Sequence, residues 1–212
     1  MRRRVIKYVI VGALGYGVIW LVSVLGMLGA HAVAQHGESS GGSVAGIKHF
    51  KQVDEKVWRG SAPGDPGYRA LADRGVRTVV DLRAEKMTPA ELDRPAQAGL
   101  ELVRLPIRDG QTPTQAQVDD FLRVVRTSDG PVFVHCGAGV GRTGAMSAAY
   151  SVRTGEATSG EAVRQALAVG PPSVEQVYYI LGNGRHDSDQ PPILIQVVSR
   201  MLDAPRRIMA SV

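Results

Sequence analysis

The chain has 212 residues, which suits one domain of ordinary size with appendages. Its net charge is +5, but the first seven residues contribute +4 of it, and the other 21 basic residues face 20 acidic ones. The charge therefore gives no sign of a nucleic-acid partner. A single cysteine, Cys136, excludes internal disulfides, so the fold must depend on an apolar core.

The first predicted element is a transmembrane helix. Residues 8–30 contain no charged side chain. As a helix they would be about 35 Å long, enough to cross a hydrocarbon core of about 30 Å. Arg2, Arg3, Arg4 and Lys7 precede this stretch, and basic residues collect on the cytoplasmic side of membrane spans. We therefore expect a single-pass protein with a cytoplasmic N-terminus and its folded domain outside the cytoplasm.

A cleaved secretory signal is the alternative, because Ala32-Val33-Ala34 is an acceptable small-x-small cleavage site. Cleavage near Ala34 would leave a secreted or periplasmic protein. The apolar stretch is longer than the usual signal core of about 7–15 residues, which favours the anchor. The predicted organisation is thus an anchor or signal over 1–34, a Gly/Ser-rich linker over 35–46, a folded domain over 47–190 and a helical extension over 191–212.

Strand and helix patterns alternate along the folded domain. Alternating segments at 47–53 and 56–59 predict an edge hairpin, and strands are predicted at 76–83, 100–107 and 131–134. Helices are predicted over 68–74, 88–98, 114–126, 143–152, 159–168 and 173–181, with a further helical pattern in 191–212. This alternation predicts an α/β fold with a central, mostly parallel sheet flanked by helices.

The most informative segment follows the strand at 131–134 and runs from His135 to Gly144 as His-Cys-Gly-Ala-Gly-Val-Gly-Arg-Thr-Gly. Small residues let successive N–H groups turn inward around an anion, and the positive end of the next helix points into the same hollow. A thiolate is favoured at a helix N-terminus beside a guanidinium, so Cys136 is expected to be a nucleophile at neutral pH. The planar fork of Arg142 can hold two phosphoryl oxygens. The segment predicts a site that attacks phosphate monoesters.

This His-Cys, five residues, Arg-Thr arrangement resembles the signature of the cysteine-dependent protein tyrosine and dual-specificity phosphatases. The segment Trp58-Arg59-Gly60-Ser61-x-Pro63 is also similar to the opening of compact dual-specificity phosphatases, so the resemblance covers roughly residues 57–155. It implies that Cys136 forms a phosphocysteine, that Thr143 stabilises Cys136 as a leaving group and that His135 holds the loop. It also implies that backbone N–H groups bind the phosphate. They belong to Gly137, Ala138, Gly139, Val140, Gly141 and Arg142.

Cleavage of a phosphate ester also needs a proton for the leaving oxygen, which a loop carboxyl can donate. Asp109 lies on such a loop after the strand at 100–107, and in the family that the chain resembles the acid occupies a loop of this kind. A turn aspartate before Gly110 is the structural alternative. Asp119 and Asp120 could replace it, but they fall within a helical pattern. Gln176 has a weak similarity to the glutamine that positions water in tyrosine phosphatases.

Several other interpretations fit parts of the loop. Gly139-x-Gly141-x-x-Gly144 matches a dinucleotide-binding pattern with Glu161 as its acid, but no predicted strand carries Glu161. A nucleoside triphosphate loop would need a lysine, and a sulfur-carrying rhodanese loop usually has one residue fewer before the arginine. A buried structural cysteine and a catalytically silent phosphoprotein-binding module remain as non-enzymatic alternatives.

The expected substrate is a phosphorylated protein or, alternatively, a phospholipid such as phosphatidylglycerophosphate or a phosphoinositide. Members of the family that act on inositol phosphates often carry lysines within the loop, whereas this loop has Ala138 and Val140. That difference favours phosphotyrosine or a simple phospholipid. No metal or other cofactor is expected, because the loop N–H groups and Arg142 supply the electrostatic stabilisation.

Overall fold

A computed structural model describes residues 2–35, 44–182 and 190–210. These residues form eight helices and five strands. In chain order they are α1 (Arg2–Gln35), β1 (Lys51–Gln52), β2 (Val57–Ser61), α2 (Asp65–Asp73), β3 (Thr78–Arg83), α3 (Pro89–Gln97), β4 (Glu101–Ile107), α4 (Gln115–Thr127), β5 (Val132–Cys136), α5 (Gly141–Thr154), α6 (Ser159–Val169), α7 (Val174–Gly182) and α8 (Ile193–Ala210).

The five strands form one sheet in the order β1-β2-β5-β3-β4. The strands from β2 to β4 are parallel, and β1 pairs antiparallel with β2 at the edge, as the predicted hairpin requires. Strand β5 is therefore central, with Cys136 opposite Ser61 of β2 and His135 opposite Asp81 of β3. The predicted α/β fold with a mostly parallel, helix-flanked sheet is confirmed.

Each face of the sheet buries its own apolar cluster, because successive side chains on a strand point to opposite faces. On β5, Phe133 joins the cluster formed with Tyr68 and Leu71 of α2. Val134 joins the larger cluster, which includes Phe121 of α4 and side chains of α5, α6 and α7. Burial of both faces explains why this strand is apolar along its length.

The predicted domain bounds at residues 47 and 190 stay predictions, and both residues lie in segments that the structure describes. Val44 forms an isolated bridge with Ile47, and both side chains are buried, so the packed domain begins three residues before the predicted start at residue 47. The predicted linker falls mostly on residues 36–43, which lie outside the described residues. At the other end, α8 falls in the predicted helical extension.

Helix α1 is continuous and includes the predicted membrane segment. Its residues Ile6–Gln35 are long and apolar enough to cross a membrane, and a signal sequence near the N-terminus would meet the same criteria. Its side chains from Ile6 to Ile19 are exposed. One N-terminal apolar helix that could be a span or a signal is therefore present.

Candidate active site

Cys136 ends β5, the central strand, and the following loop leads directly into α5 at Gly141. The Cys136 side chain is buried, and the Gly139 N–H donates to its Sγ atom at 3.3 Å. Gly139 has a φ angle of +78°, and a Cβ atom there would lie 2.3 Å from the carbonyl carbon of Gly60. Only glycine fits this position. A residue with a side chain would be strained at this left-handed φ angle, and its Cβ atom would clash with the backbone of β2.

The four carbonyl groups of the loop, from Gly137 to Val140, all accept hydrogen bonds. Gly137 accepts from the Ala62 N–H at 3.0 Å, and Val140 accepts from the Gly144 N–H at 2.8 Å. Ala138 accepts from the His49 ring at 2.8 Å. Because the N–H and C=O groups of a peptide unit point in opposite directions, carbonyls that bond to surrounding groups leave the N–H groups available to a ligand. An anion-binding nest requires this arrangement, and it stays the prediction for this loop.

The Arg59 side chain holds this loop by hydrogen bonds to its carbonyl groups, a role that the sequence analysis missed. Its guanidinium donates to the Gly139 carbonyl at 2.7 Å and to the Val140 carbonyl at 3.4 Å, and its side chain is only 4% exposed. Burial lowers the pKa of Arg59 to about 10, and the nearby Cys136 opposes that shift. The sequence places Arg59 in a predicted edge hairpin and does not indicate this contact, which depends on the burial of all five β2 residues beside β5.

Arg142 lies in the first turn of α5 and is 5% exposed. One terminal nitrogen of its guanidinium donates to Glu85 at 2.8 Å and to the Ile107 carbonyl at 3.2 Å, and the other lies 3.4 Å from an Asp109 oxygen. Burial alone would lower the pKa of Arg142, but the Glu85 hydrogen bond and the nearby Cys136 raise it. Arg142 therefore stays charged, and a bound phosphate would compete with Glu85 and Asp109 for its fork.

Asp109 lies on the loop after β4 and is 66% exposed. The structure thus brings the predicted acid to the predicted phosphate-binding arginine, although 33 residues separate them in the sequence. Asp119, one of the two alternative acids, instead bonds to Arg153 at 2.8 Å. Asp120 pairs with Arg123 on the exposed surface of α4.

The acid loop is held in place by side chains from the start of α7. The Ser173 hydroxyl donates to the Gly110 carbonyl at 3.0 Å, and the Gln176 amide donates to the Gln111 carbonyl at 3.0 Å. The other amide atom of Gln176 accepts from the Ser173 N–H at 2.9 Å. Gln176 is 2% exposed and lies against the phosphate loop, since a Cβ atom on Gly141 would be 2.6 Å from its oxygen. Gln176 therefore bridges the two loops.

His135 is fully buried behind Cys136. Burial lowers its pKa to about 4, against the opposing effect of Asp81, so the ring is neutral at pH 7. Its Nδ1 atom lies 3.1 Å from the Cys136 carbonyl, and Asp81 is itself bound to Arg83 through two oxygens. The contacts of His135 are with backbone and core, and its role in holding the loop stays a prediction.

Thr143, the second helical residue after Gly141, is also fully buried. Its hydroxyl has no hydrogen-bond partner among the described residues. It is therefore available to donate a hydrogen bond to an atom whose charge changes during a reaction. No group of three or more His, Cys, Asp or Glu side chains placed to hold a metal ion occurs among the residues that the structure describes.

Comparison with known proteins gives the class. Residues 53–156 match the family model described as "Tc-R-P: Polymorphic toxin system, DSP-PTPase phosphatase". The chain is 34% identical over 105 residues to the human "Dual specificity protein phosphatase CDC14C", covering 47% of this chain and 23% of that protein. It is 31% identical over 135 residues to "Tyrosine-protein phosphatase cdc-14" of Caenorhabditis elegans, covering 62% of this chain and 18% of that protein.

Among solved structures, the chain is similar to Tk-PTP in its active form, with a TM-score of 0.56 and 25% identity. This match covers 65% of the present chain and 98% of Tk-PTP. The chain therefore belongs to the superfamily of cysteine-dependent protein tyrosine and dual-specificity phosphatases, which are hydrolases. It spans about a fifth of the length of the two CDC14 relatives.

Proposed function

We propose that this chain hydrolyses phosphate monoesters in two steps through a phosphocysteine. The observation that carries the proposal is the phosphate loop itself: its carbonyls are all hydrogen-bonded, the Gly139 N–H donates to the Cys136 sulfur and Glu85 holds the Arg142 guanidinium. Inward N–H groups and a guanidinium stabilise the charge that spreads over the equatorial phosphoryl oxygens during transfer. The chemistry then needs only a nucleophile and a proton donor.

In the first step the Cys136 sulfur attacks phosphorus and the bond from phosphorus to the ester oxygen breaks. Asp109 donates its proton to that oxygen, which leaves as an alcohol or phenol. In the second step Asp109, now a carboxylate, takes a proton from water as the water oxygen attacks phosphorus. The sulfur–phosphorus bond breaks, Thr143 donates a hydrogen bond to the departing thiolate, and inorganic phosphate is released.

Acid quenching tests this mechanism. Protein mixed with p-nitrophenyl phosphate and quenched during turnover should carry phosphate on the peptide that contains Cys136, as mass spectrometry would show. Turnover without any phosphorylated Cys136 peptide would contradict the covalent intermediate. Direct attack by water would be the simplest replacement.

For the substrate we propose phosphorylated protein, with phosphotyrosine as the preferred group. The loop residues Ala138 and Val140 bring no cation to a polyphosphorylated ring, and the two CDC14 relatives are named as tyrosine and dual-specificity protein phosphatases. Phospholipid is the second candidate, because an exposed apolar helix adjoins the domain. We further propose that this helix is a single-pass anchor with its basic end in the cytoplasm.

A substrate panel distinguishes these candidates. Phosphotyrosine peptides, phosphoserine peptides and phosphatidylglycerophosphate in vesicles should be compared at equal phosphate concentration, with and without a chelator. The proposal expects the highest kcat/KM on phosphotyrosine and no effect of the chelator. A higher kcat/KM on the lipid would instead identify phospholipid as the preferred substrate.

A further inference from the structure

The second half of helix α1 packs against the folded domain. From Trp20 onward, one stripe of its side chains is partly or fully buried, at the spacing of a single helix face. The stripe consists of Trp20, Ser23, Val24, Met27, Ala30, His31 and Ala34. The His31 ring contacts the Leu167 carbonyl of α6, and the helix closes one side of an apolar cavity of about 90 Å³ with Pro171 and Pro172. The second half of α1 is thus docked on the domain.

The outer face of α1 stays apolar beyond Trp20, where Leu21, Val22 and Leu25 are exposed. A hydrocarbon core about 30 Å thick takes about 20 residues, so a span that starts near Ile6 ends near Leu25. Trp20 lies five residues before that end, about 7.5 Å along the helix axis. This places Trp20 just inside one boundary of the hydrocarbon core, within the depth that an interfacial helix reaches.

Helix α8 contacts α1 at this same level. The Tyr16 hydroxyl donates to the Met201 carbonyl at 2.6 Å, and the Trp20 indole N–H donates to the Leu202 carbonyl at 3.1 Å. An amphipathic helix bound to a membrane lies about 5–10 Å into the boundary between headgroups and acyl chains. The position of α8 beside Trp20 agrees with that depth.

The two sides of α8 differ in the way that such a helix requires. Toward the domain, Ser199 is 1% exposed and its hydroxyl accepts from the Glu175 N–H at 3.1 Å. The opposite side carries large apolar side chains that are 40–78% exposed, at positions i, i+1, i+4, i+5 and i+8. They are Ile193, Leu194, Val197, Val198 and Met201, and we call them the α8 apolar face.

We infer that the α8 apolar face inserts into the membrane interface and holds the phosphatase domain against the bilayer. The face adjoins the exposed apolar surface of α1 through the two hydrogen bonds to Met201 and Leu202, so both would enter the same bilayer. Arg200 is exposed on α8 and can contact anionic headgroups. The inference rests on the proposed span and not on the catalytic mechanism.

The lone cysteine makes a direct test practicable. In the Cys136→Ser chain, a spin label can be attached at one added cysteine: Leu194→Cys on the α8 apolar face, Val9→Cys in the span, or Asp73→Cys on the exposed end of α2. Each full chain is reconstituted in vesicles of phosphatidylcholine and phosphatidylglycerol. Relaxation by oxygen, which enters lipid, is then compared with relaxation by a water-soluble nickel chelate.

The label at Leu194 should resemble the label at Val9, with strong relaxation by oxygen and little by the chelate. The label at Asp73 should show the reverse. A Leu194 label that the chelate reaches as readily as it reaches Asp73 would overturn the inference. So would spin–spin broadening at Leu194 that grows with the ratio of protein to lipid, because the face would then be covered by a second copy of the chain. A water-exposed Val9 label would remove the span on which the inference rests.

A second measurement leaves Cys136 in place. Ile193→Trp and Asp73→Trp variants share the native Trp20 and Trp58, so their difference reports the added indole alone. Brominated phosphatidylcholine should quench the added fluorescence in Ile193→Trp and leave it unchanged in Asp73→Trp. Equal quenching in the two variants would contradict insertion of α8.

Discussion

The phosphate loop and the acid loop are held in different ways. The phosphate loop from Gly137 to Val140 is held mainly from the β1–β2 side of the sheet, since its carbonyls bond to backbone N–H groups, to His49 before β1 and to Arg59 of β2. The acid loop is held from the helical layer, because Ser173 and Gln176 bond to its carbonyls from the start of α7. Gln190 adds bonds to Thr112 and Pro113 from still further along the chain.

The difference matches what each loop must present to a substrate. A loop that must present several N–H groups at once needs a fixed backbone, and its contacts with β2, including the close approach of Gly139 to Gly60, provide it. A loop that presents one carboxyl needs only a correct position, which a few side-chain hydrogen bonds can supply. Changes at the phosphate loop should therefore affect binding and both chemical steps, whereas changes around the acid loop should affect mainly proton transfer.

The largest effect is expected at the nucleophile. Cys136→Ser should abolish turnover, because a hydroxyl is a far weaker nucleophile than a thiolate at neutral pH. Binding of vanadate should persist, since the loop N–H groups and Arg142 are unchanged. Steady-state assays and isothermal titration with vanadate would measure both, and substantial residual hydrolysis would disprove the role of Cys136.

The acid loop should be affected more selectively. Asp109→Asn should lower kcat by about 10²–10⁴-fold on phosphotyrosine, the usual range for loss of a general acid. The loss should be smaller on aryl phosphates whose leaving group needs no proton. Asp119→Asn is the matched control, since Asp119 bonds to Arg153 at the surface. A neutral Asp109→Asn beside a damaging Asp119→Asn would show that the wrong acid was assigned.

His135, which lies behind Cys136, should make the free energy of unfolding depend on pH. His135 has a pKa of about 4 in the fold and about 6.5 when unfolded, so the unfolded chain binds more protons between those values. The contribution of neutral His135 to the free energy of unfolding is therefore fully present above pH 6.5. It is lost as the pH falls toward 4, and the loss amounts to at most about 3 kcal/mol. Urea unfolding from pH 7 to pH 4 would measure it. His135→Gln should flatten the profile, and an unchanged slope would assign it to other groups.

Arg59 tests whether the phosphate loop needs its side-chain support. Arg59→Met keeps much of the apolar stem but removes the donor to the Gly139 carbonyl, at a cost of about 2 kcal/mol for a charged hydrogen bond. We expect a lower unfolding midpoint in urea and weaker vanadate binding together. Arg59→Lys should recover part of both, whereas full activity and stability in Arg59→Met would show that the backbone contacts suffice.

The smallest effect is expected at the bridge between the loops. Gln176→Ala removes the hydrogen bond to the Gln111 carbonyl and the bond that the Gln176 oxygen accepts from the Ser173 N–H. The bond to the acid loop is worth about 1 kcal/mol, so kcat on phosphotyrosine should fall about fivefold to tenfold. Vanadate affinity and turnover of activated aryl phosphates should change little. Equal losses on good and poor leaving groups would assign Gln176 to the phosphate loop or to water positioning instead.

Much of the phosphate loop was predictable from sequence because its constraints are local. A buried strand, five small or apolar residues and an arginine that opens a helix lie within one continuous segment, so their spacing specifies a nest. Periodicity likewise indicated the order of strands and helices along the chain. The N-terminal cap of α4 is local in the same way, because the Thr114 side chain and its partner Gln117 lie three residues apart.

Only the tertiary structure revealed what distant segments contribute. Nothing near Arg59 or Glu85 indicates that one lies under the phosphate loop and the other on Arg142, because both contacts depend on how β2 and β3 flank β5. The same holds for the contact of Gln176 with the acid loop, and for α8 against α1. Sequence alone specified the groups that share a short segment, and packing decided which remote side chains meet them, because side-chain contacts across a sheet follow strand order and register.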